Sequence, residues 1–235
     1  MKVLIFDDTK LHRQAATLTI KGHDLTVVGT YDEAQAALCP DTDSEKAKRI
    51  LPDLLEKAGL ARDFERSQDT SKEDNSTWWK AWEEAQELAT EQPDYDVVLT
   101  DLLVPASDQA QGKGLPLVGK EMPLGSTIAL LALTVGVKNV AVVTDMNHHD
   151  HPASAAFDCF NKCQYKLESI NLACINNPPR IYIDEATGEI VDREFMDSEA
   201  GKDKYPASAA TGWSPKGLFY GKNWGKVLDN LLSTS

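Results

Sequence analysis

The sequence predicts an α/β protein: a doubly wound, parallel five-stranded sheet that carries a helical insertion and, in its C-terminal half, a β-hairpin insertion. Three observations carry this expectation. The runs "KVLIF" (2–6), "DLTVVGT" (24–30), "YDVVLTD" (95–101) and "NVAVVTD" (139–145) are short and largely apolar, the pattern of strands covered on both faces. Segments with apolar residues at helical spacing stand between them, so strand and helix alternate as in βαβ units. The first and third runs end in acid and the fourth in a hydroxyl followed by acid, which gathers polar groups at one end of several strands.

The first run is ended by Asp7 and Asp8, and a helix should follow in "TKLHRQAATLTIKG". Thr9 is a plausible cap there, Leu11, Ala15 and Leu18 share helical spacing, and Gly22 is a stop signal. After the second run, "YDEAQAAL" opens a second helix. The rhythm is then interrupted over residues 39–93 by two helical stretches, "SEKAKRILPDLLEKAGL" and "STWWKAWEEAQELA", joined by the polar "RSQDTSKEDN". Pro52 is expected to kink or divide the first of these. Trp78, Trp79 and Trp82 lie at mutual spacings of one, three and four and are expected to dock the insertion onto the main body, with a partner-binding face as the alternative. The third run, the apolar helix "GSTIALLALTVGV" and the fourth run restore the alternation. A glycine-bearing loop insertion, 106–123, reads as a flap, and an insertion at 164–216 contains the hairpin "RIYIDEATGEIVDREF". That hairpin should turn near Ala186 to Gly188 and present Ile181, Ile183, Ile190 and Val191 as its apolar positions. The whole chain, 1–235, is read as one elaborated domain.

Composition narrows the function. The chain has 235 residues with 24 basic against 37 acidic side chains and a formal charge of −13, which disfavours direct nucleic-acid binding through clustered cations. Met1 leads straight into a strand, no apolar stretch approaches the length of a membrane span, and the four cysteines form no CxxC pair. The expectation is a cytoplasmic protein with reduced thiols and no membrane partner.

Open α/β sheets place their ligands at the carboxyl ends of the strands. Asp7, Asp8 and Asp101 would meet there beside Thr144. Carboxylates this close repel one another unless a cation or protons compensate, and a hard divalent cation such as Mg2+ suits oxygen ligands while leaving positions for phosphate oxygens. A carboxylate held near such a cation is a competent nucleophile towards phosphorus. Helix capping by Asp7 and by Asp101 would explain each acid separately but not their convergence.

Taken together, "VLIFDD", "VVLTDLLVP" and "VAVVTD" resemble the receiver domain of two-component response regulators, a flavodoxin-like fold. The resemblance covers about residues 1–38, 94–105 and 124–146. It implies that Asp7, Asp8 and Asp101, with the Leu103 backbone carbonyl, hold Mg2+, that Asp101 accepts a phosphoryl group, and that Thr144 contacts it. Pro105 matches a proline that family members often carry four residues beyond the acceptor. The implied phosphodonor is a histidine kinase or a histidine phosphotransfer protein, and the downstream partner is an unidentified protein.

The family also carries a lysine at the end of its fifth strand. "GLFYGKNWGKVLDNLL" offers Lys222, with Phe219 three residues earlier and Val227, Leu228, Leu231 and Leu232 in a following helix. A rival fifth strand, "SINLACINN" (169–177), would put Asn177 in the lysine's place, and Lys166 is a third candidate. Of the three, Lys222 is the expected lysine. "NHHDH" supplies His148, His149 and His151, with Cys159 and Cys163 nearby, but its spacing matches no standard zinc motif and reads as a solvated loop. The expected function is that of a receiver-like phosphoacceptor that signals through protein contacts and has at most self-dephosphorylation as its own chemistry. The alternatives are a phosphate-independent pseudo-receiver and a Mg2+-dependent phosphohydrolase of the haloacid-dehalogenase type, whose second aspartate "FDDTK" lacks.

Overall fold

The computed structural model describes residues 1–39, 41–65, 70–91, 93–107, 114, 116–145, 152–157, 164–167, 169–206 and 215–233. His148, His149, His151, Cys159 and Cys163 lie outside them. In chain order the elements begin with β1 (Lys2–Phe6), α1 (Lys10–Thr19), β2 (Asp24–Val28) and α2 (Tyr31–Leu38). There follow β3 (Asp41–Thr42), α3 (Ser44–Lys57), α4 (Lys72–Ala89) and β4 (Thr90–Glu91). The alternation resumes with β5 (Val97–Asp101), β6 (Val104–Pro105), β7 (Glu121–Met122), α5 (Leu124–Thr134), β8 (Asn139–Thr144) and α6 (Pro152–Phe157). The C-terminal part holds β9 (Gln164–Leu167), β10 (Ile170–Asn176), β11 (Arg180–Asp184), β12 (Ile190–Val191), α7 (Arg193–Asp197), α8 (Glu199–Lys204), β13 (Leu218–Lys222) and α9 (Trp224–Ser233).

Five parallel strands form the central sheet in the order β2-β1-β5-β8-β10, and β9 adds an antiparallel edge beside β10. This order belongs to the flavodoxin-like class of doubly wound sheets. The pleat explains the two layers around it. In β1, Leu4 and Phe6 join a core with Tyr31, Ala34 and Leu38 of α2 and Ile128, Ala129 and Ala132 of α5. Val3 and Ile5 face the other way, into a core with Ala16, Trp224, Val227, Leu228 and Leu231 of α1 and α9. Successive side chains of a strand point to opposite faces, so a run that is apolar at every position can serve two helical layers at once.

The fifth strand differs from the one expected. The run at Leu218–Lys222 is not in the parallel sheet; β10 takes that place, pairing with β8 from Asn171↔Asn139 to Asn176↔Thr144. The reason is visible in the burial: Leu172 and Cys174 pack into one core and Ala173 and Ile175 into the other, as an internal strand requires. The strand β13, by contrast, carries Gly221 against α1, where a Cβ would lie 2.5 Å from the Ala15 methyl. It joins a separate antiparallel sheet, β12-β11-β13, with Tyr182↔Tyr220 and Arg180↔Lys222 in register. Residues 164–176, expected within an insertion, therefore supply two strands of the main sheet. The hairpin itself is as read from the sequence: β11 and β12 pair Ile183↔Ile190, and Gly188 turns the chain with a φ of 72°.

Residues 39–93 form a compact unit distinct from 1–38 with 94–235. Its two helices pack Ala47, Leu54 and Leu55 against Ala81, Ala85 and Ala89. Helix α3 is not divided at Pro52; Asp43 caps its start and its apolar face continues to Leu55. Trp78 and Trp82 stack at 5.8 Å between ring centres within this unit's own core, while Trp79 is 44% exposed. Among the described residues no helix is long and apolar enough to cross a membrane.

Candidate functional site

In a doubly wound sheet the helices change sides where the strand order reverses, which opens a crevice at the carboxyl ends. Here that point lies between β1 and β5. Asp7 follows β1 directly and Asp101 ends β5, so the two acids flank it. Asp7 is fully buried, and Asp101 is 7% exposed.

Each carboxylate divides its oxygens between a local and a distant partner. Asp7 Oδ1 accepts the Thr9 backbone N–H at 2.9 Å, and Asp101 Oδ1 accepts the Leu102 N–H at 2.8 Å. Neither acid caps a helix: Thr9 sits at the N-cap of α1 without a side-chain bond, Asp7 accepts from the N–H of that N-cap residue, and Asp101 accepts from Leu102. The second oxygens converge. Lys222 Nζ lies 2.8 Å from Asp7 Oδ2 and 2.9 Å from Asp101 Oδ2, with Asp145 Oδ1 at 3.7 Å. The Lys222 side chain is almost wholly removed from water, and its ammonium sits 5.5 Å from the centre of the Trp224 ring. Thr144 is buried at the end of β8, one residue beyond the Val143 that pairs with Asp101.

The lysine thus comes from a strand outside the central sheet. Asn177 occupies the position after the true fifth strand, where its N–H donates to the Thr144 carbonyl at 2.9 Å and its φ is 56°. The turn at Pro178 and Pro179 leads into β11, whose partner β13 returns to the same edge and delivers Lys222. Lys166 is placed elsewhere: its backbone pairs with Asn171 at the start of β10, the opposite edge of the sheet from Asp101.

Two features escaped the sequence reading. His12, on the first turns of α1, is buried between two acids, with Nδ1 3.2 Å from Asp7 Oδ2 and Nε2 3.4 Å from Asp145 Oδ2. Its carbonyl accepts the Trp224 indole N–H at 3.1 Å, which ties α1 to α9 beside the site. An isolated histidine five residues after an acid carries little signal, and only the spacing that turns α1 back over β1 brings it there. The second is Gly125. A Cβ at this position would lie 1.6 Å from the Asp101 carbonyl oxygen, so α5 can start against β5 only without a side chain. Its N–H donates to the Leu102 carbonyl at 3.1 Å.

Burial and partners set the charge states. For Asp7, burial works against ionisation, but Lys222 and His12 outweigh it and hold the carboxyl below its usual range. Burial pushes Asp101 up to about 7; Lys222 opposes this, and Asp7 and Asp145 reinforce it. Burial would lower Lys222, yet Asp101, Asp7 and Asp145 together keep it above its ordinary value. Asp8 is half-buried and raised, first by burial and then by Asp7. Asp7, Asp8 and Asp101 each offer one oxygen, and these lie within 4.8 Å of one another, a hard oxygen donor set that could hold a metal ion. Leu103 is a core residue immediately beyond.

Arg13 braces the approach, donating from Nη1 to the carbonyls of Asp7 at 2.8 Å and Asp8 at 2.5 Å. The loop after β5 is partly tied down: β6 pairs with β7, and Ala106 donates to the Lys120 carbonyl at 2.9 Å. The chain matches no protein-family model, no curated protein and no solved structure.

Proposed function

We propose that this protein is a receiver-like phosphoacceptor in which Asp101 takes a phosphoryl group in a Mg2+-dependent reaction and signals the change through protein contacts. The observation that carries the reading is the bridge from Lys222 Nζ to Asp7 and Asp101 at 2.8 and 2.9 Å, next to a third acid that completes a cation-sized donor set. A lysine, an acidic pair and an acceptor acid at the switch point of a flavodoxin-like sheet are the parts such chemistry needs. When bound at Asp7, Asp8 and Asp101, Mg2+ would neutralise charge on the entering phosphate.

The chain's own groups have separate tasks. Asp101 Oδ2 attacks phosphorus while the N–P bond of a phosphohistidine breaks, and the imidazole leaves and takes up a proton. Lys222, kept cationic by its three acids, is placed to follow the charge from the carboxylate to a phosphoryl oxygen. Thr144 at the end of β8 lies one strand away, where a hydroxyl can turn towards the new group. The added negative charge then biases the ends of β8 and β13. The fitting donor is a histidine kinase or a phosphotransfer protein, and the site's placement on a compact α/β body of a −13 chain suits a protein target.

Intact mass spectrometry after incubation with acetyl phosphate tests the reading. One phosphoryl adduct should appear in the wild type, should require Mg2+, and should be missing in Asp101→Asn. An adduct that survives in the variant, or its absence from folded wild-type protein at every Mg2+ concentration, counts against it and favours the phosphate-independent module.

A further inference from the structure

A second opening lies outside the acidic edge, between the hairpin and the start of α9. It is a cavity of about 670 Å3, within the range of small-molecule sites. Arg180 on β11, Arg193 at the start of α7 and Lys226 on the first turn of α9 line it, together with Ile181, Ile190 and Val191. Three cations around one cavity are notable in a chain with 24 basic and 37 acidic side chains. Among the described residues, none of the three side chains has a carboxylate within ion-pairing distance. The acid on the wall, Asp192, has an oxygen committed to the Glu194 N–H, where it caps α7. The guanidinium of Arg180 is held in place by the Tyr220 ring, 4.7 Å below it.

Part of the apolar lining is also open, whereas Ile181 is buried in a core with Ala15 and Ile183. Ile190 is 45% exposed although it pairs with the fully buried Ile183 across the hairpin. A concave surface that combines guanidinium and ammonium groups without a carboxylate partner among the described residues with the exposed Ile190 side chain is complementary to an organic anion with an apolar body.

We propose that this cavity binds a small amphipathic anion, its carboxylate or phosphate held by Arg180, Arg193 and Lys226 and its apolar part laid against Ile190 and Val191. This is a binding site separate from the acidic edge and does not depend on phosphorylation of Asp101. Guanidinium groups favour bidentate contact with either head group, so the two anion chemistries share the same grip.

Titration of the full chain with naphthalene-2-carboxylate, followed by backbone amide NMR shifts, tests the inference. Binding should shift amides of β11, β12 and the first turn of α9. The double variant Arg180→Gln/Lys226→Gln, whose side chains are exposed and make no ion pair among the described residues, should retain the wild-type thermal midpoint and bind about tenfold or more weakly. The uncharged isostere naphthalene-2-carboxamide should bind as weakly to the wild type as the carboxylate does to the variant. Equal binding of carboxylate and amide, shifts confined to other elements, or unchanged affinity in the double variant would each overturn the proposal.

Discussion

The Asp184–Lys204 pair at the hairpin and the Lys222 cluster at the sheet edge both join aspartate to lysine, and they have opposite characters. At the hairpin, Asp184 accepts from the Tyr205 hydroxyl, from Lys204 Nζ at 3.0 Å, and from the Ala186 and Thr187 N–H groups at 2.8 and 3.1 Å. Every bond favours the ionised form, and Asp184 is held well below the usual carboxylate range, by Tyr205 first and Lys204 second. Its lysine is 54% exposed and could be solvated instead. At the sheet edge the proportions are reversed: one buried lysine serves Asp7, Asp101 and, at longer range, Asp145, and Asp101 is raised to about 7 because burial outweighs that share of a cation. A structural acid is satisfied by its own neighbourhood. A group of acids that a single cation leaves incompletely satisfied has capacity for another ligand, which is the physical content of a site.

The sharpest way to break the contrast is to remove each lysine. Lys222→Met strands two buried carboxylates that shared its ammonium, and breaking a buried pair from one side costs about 3–5 kcal/mol. Denaturant unfolding without divalent ions should show that loss. Addition of Mg2+ should restore stability to the variant more than to the wild type, because a divalent cation can take over the neutralisation. Equal Mg2+ responses in the two proteins would mean that the acids do not form a common cation site.

The next effect in size comes from the backbone. Gly125→Ala forces a methyl to within 1.6 Å of the Asp101 carbonyl oxygen, so α5 and the end of β5 must separate. Overpacking of this kind costs about 1–3 kcal/mol. The variant should also accept phosphate from acetyl phosphate more slowly than its stability loss explains, as judged by intact mass under conditions where it remains folded. A wild-type rate would show that the position of Asp101 is insensitive to the α5 contact.

How far these features were legible depends on the range of the interactions behind them. The runs of β1, β5 and β8 and the acids that end or follow them were readable because burial on both faces leaves its mark within five to seven residues. Lys222 was legible as a residue but not in its route: the sequence treats a lysine after an apolar run as the end of a parallel strand, whereas it arrives from β13 through an antiparallel pairing with β11. The choice between β10 and β13 as fifth strand turns on which run can fill two cores, and Cys174 and Ala173 in β10 do so while Gly221 in β13 meets α1. His12 and Gly125 left no local trace, since the role of each is set by a neighbour distant in sequence or by the packing of a helix onto a strand.

The hairpin cluster supplies the smaller tests. With its folded-state pKa lowered, Asp184 stabilises the native protein above the ordinary carboxylate range, and this contribution is lost as pH falls towards the folded value. Asp184→Asn should therefore lower the thermal midpoint at pH 7 and flatten the acid-side decline, so the variant and wild type approach one another as the solution is acidified. Lys204→Ala should change the midpoint least of the four substitutions. Three of the four donors on Asp184 remain, and the lost ammonium was already half in water. A Lys204 variant as damaging as Lys222→Met would contradict the distinction between an acid satisfied locally and acids that share one buried cation.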